Sequence, residues 1–182
     1  SNRRLHKGIY ESSILNFDSL KIQLILLDTR TFRDNLTKTI NKKIYKNKYQ
    51  PTISPDSTFL GNEQWLWLEK QLKLEADIRI IASSNQFSAE YTGWESWTNV
   101  PHEQKKMLSL INSTKANGVV FISGDVHFGE ISKYTNKDTY PLYDITSSSL
   151  AKSWRVPGDN GNRVGKPVIE NNYGIIEISI GK

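Results

Sequence analysis

Gly118-Val-Val-Phe-Ile-Ser-Gly-Asp-Val-His-Phe-Gly-Glu-Ile-Ser132 is the stretch that decides how this 182-residue chain folds. It opens with four apolar residues, Val119, Val120, Phe121 and Ile122, a run that fits a strand buried on both faces. The run breaks at Ser123-Gly124, presents Asp125 and His127, and becomes extended again after Gly129 through Ile131 to Tyr134. In α/β sheets, ligands gather just beyond the carboxyl ends of buried strands. A carboxylate offers a hard anionic oxygen and a neutral imidazole offers a nitrogen, so both side chains can ligate a metal at neutral pH. Asp125 and His127 are therefore candidate catalytic residues and metal ligands. The same residues also suit a plainer arrangement, a turn aspartate capping its own backbone beside a core histidine.

Working outward, Ile22–Leu27 reads as a second buried strand, ending at Asp28-Thr29-Arg30, and Ile78–Ala82 as a third, ending at Ser83-Ser-Asn-Gln86. Asp28 then either pairs with an arginine to fix its loop or leaves Arg30 free for phosphate. Tyr140–Ile145 predicts a further strand. Tyr173–Ile180 alternates as a half-buried antiparallel edge strand. Ile9–Leu15 is short and extended. Helical spacing of Trp65, Leu68 and Leu72 predicts a helix over Asn62–Leu74, with Trp65 and Trp67 as core anchors. Pro101 starts another over Pro101–Ile111, where its missing N–H is harmless. Thr31–Phe59 and Asn160–Pro167 read as loops. Phe87–Val100, dense in aromatics around Glu90 and Glu95, reads as a cleft wall or as a packed lid without chemistry.

Composition bounds the class. One domain's worth of chain carries 37% apolar residues, compensated by five Trp, eight Tyr and six Phe. No apolar run approaches the roughly 18–20 residues that span a bilayer. Cysteine is absent, which removes disulfides, thiolate nucleophiles and cysteine zinc sites together. The net charge of +5 is local: Lys38, Lys42, Lys43, Lys46 and Lys48 lie within Thr37–Gln50 with no acid, and the rest is neutral. That pattern argues for a solvated loop and against nucleic acid as a stable partner. The chain opens on Ser1, not Met, and reads as lacking its beginning.

Phe121–Ile131, together with Leu26-Leu-Asp-Thr-Arg-Thr-Phe-Arg33, Leu60-Gly-Asn-Glu-Gln-Trp-Leu-Trp-Leu68, Trp94-Glu-Ser-Trp-Thr-Asn-Val-Pro-His-Glu103 and the weaker Tyr143-Asp-Ile-Thr-Ser-Ser-Ser149, resembles the PhoD-like branch of the calcineurin-type metallophosphoesterases. The resemblance covers most of the chain and keeps the family's order. It implies an α/β (α+β) fold, a mixed αββα sandwich flanked by helices, of which residues 1–182 would form the C-terminal part of a single domain. It implies metal-dependent hydrolysis of phosphate monoesters or diesters by a PhoD-like phosphatase, with divalent or trivalent ions (iron, calcium, manganese or magnesium) at a dinuclear or larger site. Gln86 matches the glutamine this branch carries where related enzymes have a metal-binding histidine, which makes it a candidate ligand beside Asp125 and His127. Arg30, Trp94, Glu95 and His102 become the candidate substrate-binding residues, His102 by positioning its loop and not as a ligand. A periplasmic, cell-surface or secreted location is suggested by the resemblance alone. The early Asp and His motifs of the family are absent, so the chain is expected to hold only the last ligands and one cleft wall. The alternative is a non-catalytic binding module that keeps the fold without a complete metal site.

Overall fold

The computed structural model describes residues 6–137 and 139–179. They form one mixed seven-stranded sheet with two α-helices, in strand order β1-β2-β3-β4-β6-β5-β7. The strands are β1 (Glu11–Phe17), β2 (Leu20–Leu26), β3 (Ile78–Ala82), β4 (Val119–Ser123), β5 (Gly129–Tyr134), β6 (Leu142–Ser147) and β7 (Arg163–Val168). Helix α1 spans Gly61–Leu72 and α2 spans Pro101–Ser113. Strands β2, β3, β4 and β6 are parallel, while β1 hairpins onto β2 and β5 pairs antiparallel with β6 and β7. The strand read from Val119 to Ser123 lies in the sheet interior, as its apolar run requires.

Strand alternation sends the sheet's two faces to different fates. One row of paired neighbours, Ile25, Ile81, Phe121 and Asp144, is at most 1% exposed. Its apolar members pack with Trp65, Leu68 and Leu72 of α1 and Met107, Leu108 and Ile111 of α2. The adjacent row, Leu24, Ile80, Val120 and Tyr143, points the other way. So does the row Leu26, Ala82, Ile122, Ile145, Ile131 and Val164. Among the described residues no helix covers that second face, and Leu24, Leu26, Tyr143, Ile131 and Val164 remain 36–48% exposed. The double burial expected for Val119–Ile122 therefore holds on one side only. The described residues contain a single sheet.

Two expectations change. Asn160–Pro167, read as a loop, contains most of β7, because Ile131 and Ser132 on the free edge of β5 pair with Val164 and Arg163. Arg163 Nε also donates to the buried Glu130 carboxylate at 2.5 Å. Conversely, residues 173–179 form no strand, and Ile180 lies outside the described residues. Their apolar alternation serves another purpose: Tyr173 and Ile176 line a cavity over the uncovered sheet face.

Buried carboxylates fix the loops around α1. Glu103, in the first turn of α2, accepts hydrogen bonds from the Phe59 N–H (2.6 Å), the Thr58 hydroxyl (2.5 Å) and the Trp65 indole N–H (2.6 Å). It thereby orders the chain entering α1 and ties the two helices together. Asp28, at the exit of β2, accepts from the Thr31 hydroxyl and from the N–H groups of Thr31, Arg30 and Ile9. The Gln64 amide of α1 bridges the Asp28 backbone in both directions. The Asp28–arginine ion pair considered from the sequence is thus replaced by a backbone cap. Backbone N–H donors reach the carboxylate without the entropy of ordering a long side chain.

Both anchors have measurable consequences. Replacing Glu103 with Ala strands several buried donors and should lower the unfolding free energy by about 3–5 kcal/mol in urea melts; a loss under about 1 kcal/mol would contradict the anchoring role. Burial pushes the Asp28 carboxyl up, but its four hydrogen bonds outweigh this and hold it below the ordinary 3.8. A depressed folded value means the ionised group stabilises the fold above the unfolded value, and that stability is lost as pH falls through the folded one. Asp28→Asn should therefore be less stable than the parent by about 1–3 kcal/mol at neutral pH. The gap should shrink progressively on acidification, and a gap that stays constant with pH would rule out the linkage.

Candidate active site

Asp125 and His127 sit in a turn that the backbone holds in an uncommon shape. Both adopt left-handed conformations, with φ of 74° and 61°, flanking Val126. Non-glycine residues held there cost of order 1–3 kcal/mol each and cluster at functional sites. The turn lies in the connection between β4 and β5, residues 124–128, and the exit of β6 clamps it. The His127 N–H donates to the Ser148 hydroxyl at 2.8 Å, and the His127 carbonyl accepts from the Ser149 hydroxyl and from the Trp154 N–H, the latter at 2.6 Å. The serine run after β6 thus has a defined task, to fix the histidine backbone.

Two clefts meet at His127. The larger, of about 1000 Å³, lies over the uncovered sheet face and is walled by Leu26, Asp28, Arg30, Ile122 and Ser147–Ser149. The smaller, of about 250 Å³, lies on the other side of the turn, and Gln86, Trp94, Glu95, Asp125 and Trp154 line it. The strand ends at Asp28, Gln86 and Asp125 therefore converge on one end of the sheet, although Asp28 and Gln86 open onto different clefts.

Charge is arranged between these clefts as a chain of alternating sign. Arg30 places one guanidinium nitrogen 2.6 Å from Glu95 and the other 3.4 Å from Asp125, while Arg33 holds the same Glu95 oxygen at 2.7 Å. For Glu95, burial favours the neutral form, but the bonds and charges of Arg33 and Arg30 prevail and hold its carboxyl below the usual range. For Asp125 the balance reverses: burial, with Glu95 nearby, lifts its carboxyl above the usual range despite Arg30, His127 and Arg33. Asp125 is the less satisfied of the two acids.

Gln86 is buried beneath the smaller cleft. Its amide nitrogen donates to Glu130 at 2.7 Å and Thr146 at 3.0 Å, so its Oε1 is the atom left to offer a ligand. The neighbouring Asn85 is fully buried, and neither of its amide atoms has a protein partner. His102 stands apart: it lines neither cleft and donates from Nε2 to the Ser57 carbonyl at 2.7 Å, which matches loop positioning but places it away from Asp125, His127, Arg30, Trp94 and Glu95. Phe87–Val100 combines the two roles weighed for it, since Phe87 and Trp97 are buried in the core while Trp94 is 45% exposed at the cleft.

Several cleft residues escape a reading of the sequence. Lys48 and Tyr49 reach the smaller cleft because the lysine-rich loop docks on Gly93, whose carbonyl accepts both of their N–H groups. A Cβ at Gly93 (φ 79°) would lie 2.0 Å from the Lys46 carbonyl oxygen, so the approach requires glycine. Glu130, Arg163 and Trp154 are likewise unannounced. The only hint for Glu130 is a carboxylate between the apolar Phe128 and Ile131, within the central motif. Among the described residues no three His, Cys, Asp or Glu side chains are grouped to hold a metal ion, and no helix is long and apolar enough to cross a membrane.

Comparison with known proteins fits this geometry into a family. The sequence profile of the PhoD-like phosphatases matches residues 18–168. Alkaline phosphatase D of Bacillus subtilis is 27% identical over 111 residues, covering 56% of this chain and 18% of that protein. A solved structure of PhoD matches with a TM-score of 0.58 at 22% identity, over 77% of this chain and 28% of that one. GAP50, the anchor in the inner membrane complex of Plasmodium, matches with a TM-score of 0.54 at 17% identity, over 89% of this chain and 44% of that one. The chain thus spans less than half the length of each of these relatives. With the profile matching most of its residues, the chain belongs to the PhoD-like phosphatase family.

Proposed function

We propose that this chain is the C-terminal part of a phosphoester-hydrolysing PhoD-like domain, supplying its last metal ligands and one cleft wall. The observation that carries the reading is the turn at Asp125 and His127, two chemically apt donors held in strained conformations where two clefts meet. A bound ion of this class polarises phosphoryl oxygens and lowers the pKa of an attacking water. The donor set fits such an ion only in part. Each metal takes about four or more ligands, whereas Asp125, His127 and the Oε1 of Gln86 provide at most three. Water or substrate fills the open positions of one ion, so on this reading the bridging carboxylate and the donors of a second ion come from chain beyond these 182 residues.

The uncovered sheet face supports the same reading. Its rows of Leu, Ile and Val would gain from a second sheet packed about 10 Å away, and the larger cleft, with His127 at its edge, lies along that face. A sandwich closed there would bring further ligands over the turn. A phosphoryl-binding role for Arg30 is supported by its half-exposed side chain and by its weak 3.4 Å contact to Asp125, which a phosphoryl oxygen could replace while the 2.6 Å bond to Glu95 is kept. Glu95 orients Arg30 and is itself held by Arg33, and the Ser148–Ser149 clamp keeps the His127 backbone in register with it. GAP50 shares the fold and is described as an anchor, so a module without a complete metal site is the competing reading.

Assay separates them. This chain alone, with added divalent metal, should hydrolyse phenyl phosphate or bis-nitrophenyl phosphate no faster than a metal-only blank. The longer protein that carries it should be active, and His127→Ala should lower its turnover by roughly a hundredfold or more, since a lost ligand disturbs metal position and water acidity together. Lys42→Ala should change little. Near-normal turnover in the His127 variant at saturating metal would remove His127 from the ligand set, and an inactive longer protein would favour the anchor-like module.

A further inference from the structure

The smaller cleft has aromatic walls that the hydrolytic step does not use. Trp154 is 50% exposed, yet its placement is fixed at two points: its backbone N–H is bonded to the His127 carbonyl, and its indole N–H donates to the Val156 carbonyl at 2.8 Å. With its one polar atom satisfied by the protein, its ring surface is left to a ligand. Trp94 precedes Glu95, which two arginines hold, so it too stands on an anchored backbone. Tyr49 completes the wall, with the Lys48 ammonium 4.8 Å from its ring centre.

Charge decides what such a cleft takes. Trp and Tyr walls suit either a cationic headgroup or a flat neutral ring. A cation also needs an unpaired acid nearby: Glu95 is engaged by Arg30 and Arg33 and Glu130 by Arg163 at 2.5 Å, while Asp125, held by Arg30 only at 3.4 Å, is the acid that the reading above assigns to a metal ion. Lys48 adds a positive charge to the lining. That balance disfavours an ammonium group and favours a planar ring joined to an anion. The volume of about 250 Å³ is smaller than the roughly 300–1,000 Å³ typical of drug-sized ligand sites, and suits one ring system in place of a polymer segment.

We propose that Trp94, Trp154 and Tyr49 form a subsite for a planar aromatic ring on the alcohol side of a phosphoester, placing that ester beside Asp125 and His127. The phosphoester part rests on the hydrolase reading above, whereas the ring subsite can be examined without it. A nucleobase and an aryl group both supply such a ring, the chemistry of stacking being shared.

The test follows the indole N–H signals of this chain by NMR, titrating adenosine, adenosine monophosphate, phenyl phosphate and glycerol 2-phosphate. The ring-bearing probes should shift the Trp94 and Trp154 signals, and glycerol 2-phosphate should not. A response to adenosine compounds alone assigns a nucleobase, and a response to phenyl phosphate alone assigns an aryl ester. Trp154→Ala and Trp94→Ala should each weaken ring binding roughly tenfold, with Trp94→Phe restoring most of it. In the longer protein the same Ala variants should raise KM for ring-bearing esters by a clearly larger factor than for glycerol 2-phosphate. Indole signals that no ring-bearing probe moves, equal responses to glycerol 2-phosphate, or equal KM changes for both substrate types would overturn the subsite while leaving the hydrolase reading intact. Ring binding in a longer protein that hydrolyses no phosphoester would do the reverse.

Discussion

Asp144 is the interaction on which the site end of the sheet depends. It lies on β6, fully buried on the helix-facing side, and its carboxylate accepts the Phe87 N–H at 2.6 Å, the Ser88 N–H at 3.1 Å and the Ser123 hydroxyl at 2.6 Å. One side chain thereby joins the exit of β3, the end of β4 and the middle of β6. Burial raises the tendency of this carboxyl to hold its proton, and the three donors only partly offset that. Such a group is expensive to bury unless its bonds are all made, so the loop leaving β3 must return to it at Phe87. From there the chain reaches Trp94 and Glu95. The position of Glu95 relative to Asp125 is thus set by a carboxylate that touches neither.

Glu130 extends the same logic one strand further. It receives the Gln86 amide, the Asn160 amide and Arg163, and so ties the β3 exit to β5 and β7. Gln86 and Asp144 in turn are joined through Ser123 and Thr146, a hydroxyl pair at 2.8 Å. The result is a polar layer beneath the smaller cleft, within a sheet whose neighbouring rows are aliphatic. Bonded buried polar groups hold one another in place, and this layer, which leaves the Gln86 Oε1 open, is the floor from which the left-handed turn at Asp125 and His127 rises.

Repetition is legible in this sequence, and singular contacts are hidden. The core strands β2, β3 and β4 announce themselves by near-continuous apolar runs and both helices by apolar period, although only one face of those strands is covered by the helices. Val119–Ser123 and Ile78–Ala82 emerge at the expected residues. Strand β7 is invisible because Arg163-Val-Gly-Lys-Pro-Val168 has no alternation to read, and what makes it a strand is a free edge on β5 and an ion pair to Glu130. Residues 173–179 err the other way, since their apolar period answers to a cavity and not to a neighbouring strand. At the site, Asp125 and His127 stand out by type and by position after a buried strand. Trp154 and Tyr49 do not, because they reach the cleft through loop docking, at Gly93 and at the His127 carbonyl, that no local pattern encodes.

The charges of the site differ in how firmly they are held, and the difference points outward. Glu95 has two arginines within 2.7 Å, whereas Asp125 has one guanidinium nitrogen at 3.4 Å, at the edge of hydrogen-bond range. Arg30 can keep its shorter bond to Glu95 while giving up the longer one, so Asp125 can be released without disturbing the loop that carries Trp94. Asp125 is also the acid that burial leaves wanting a positive partner, and it lies two residues from the histidine that borders both clefts. A closed, self-satisfied ion-pair cluster would have no use for a strained turn. Here the strain sits where one acid is underpaired, two residues from the histidine that borders the cleft over the bare sheet face.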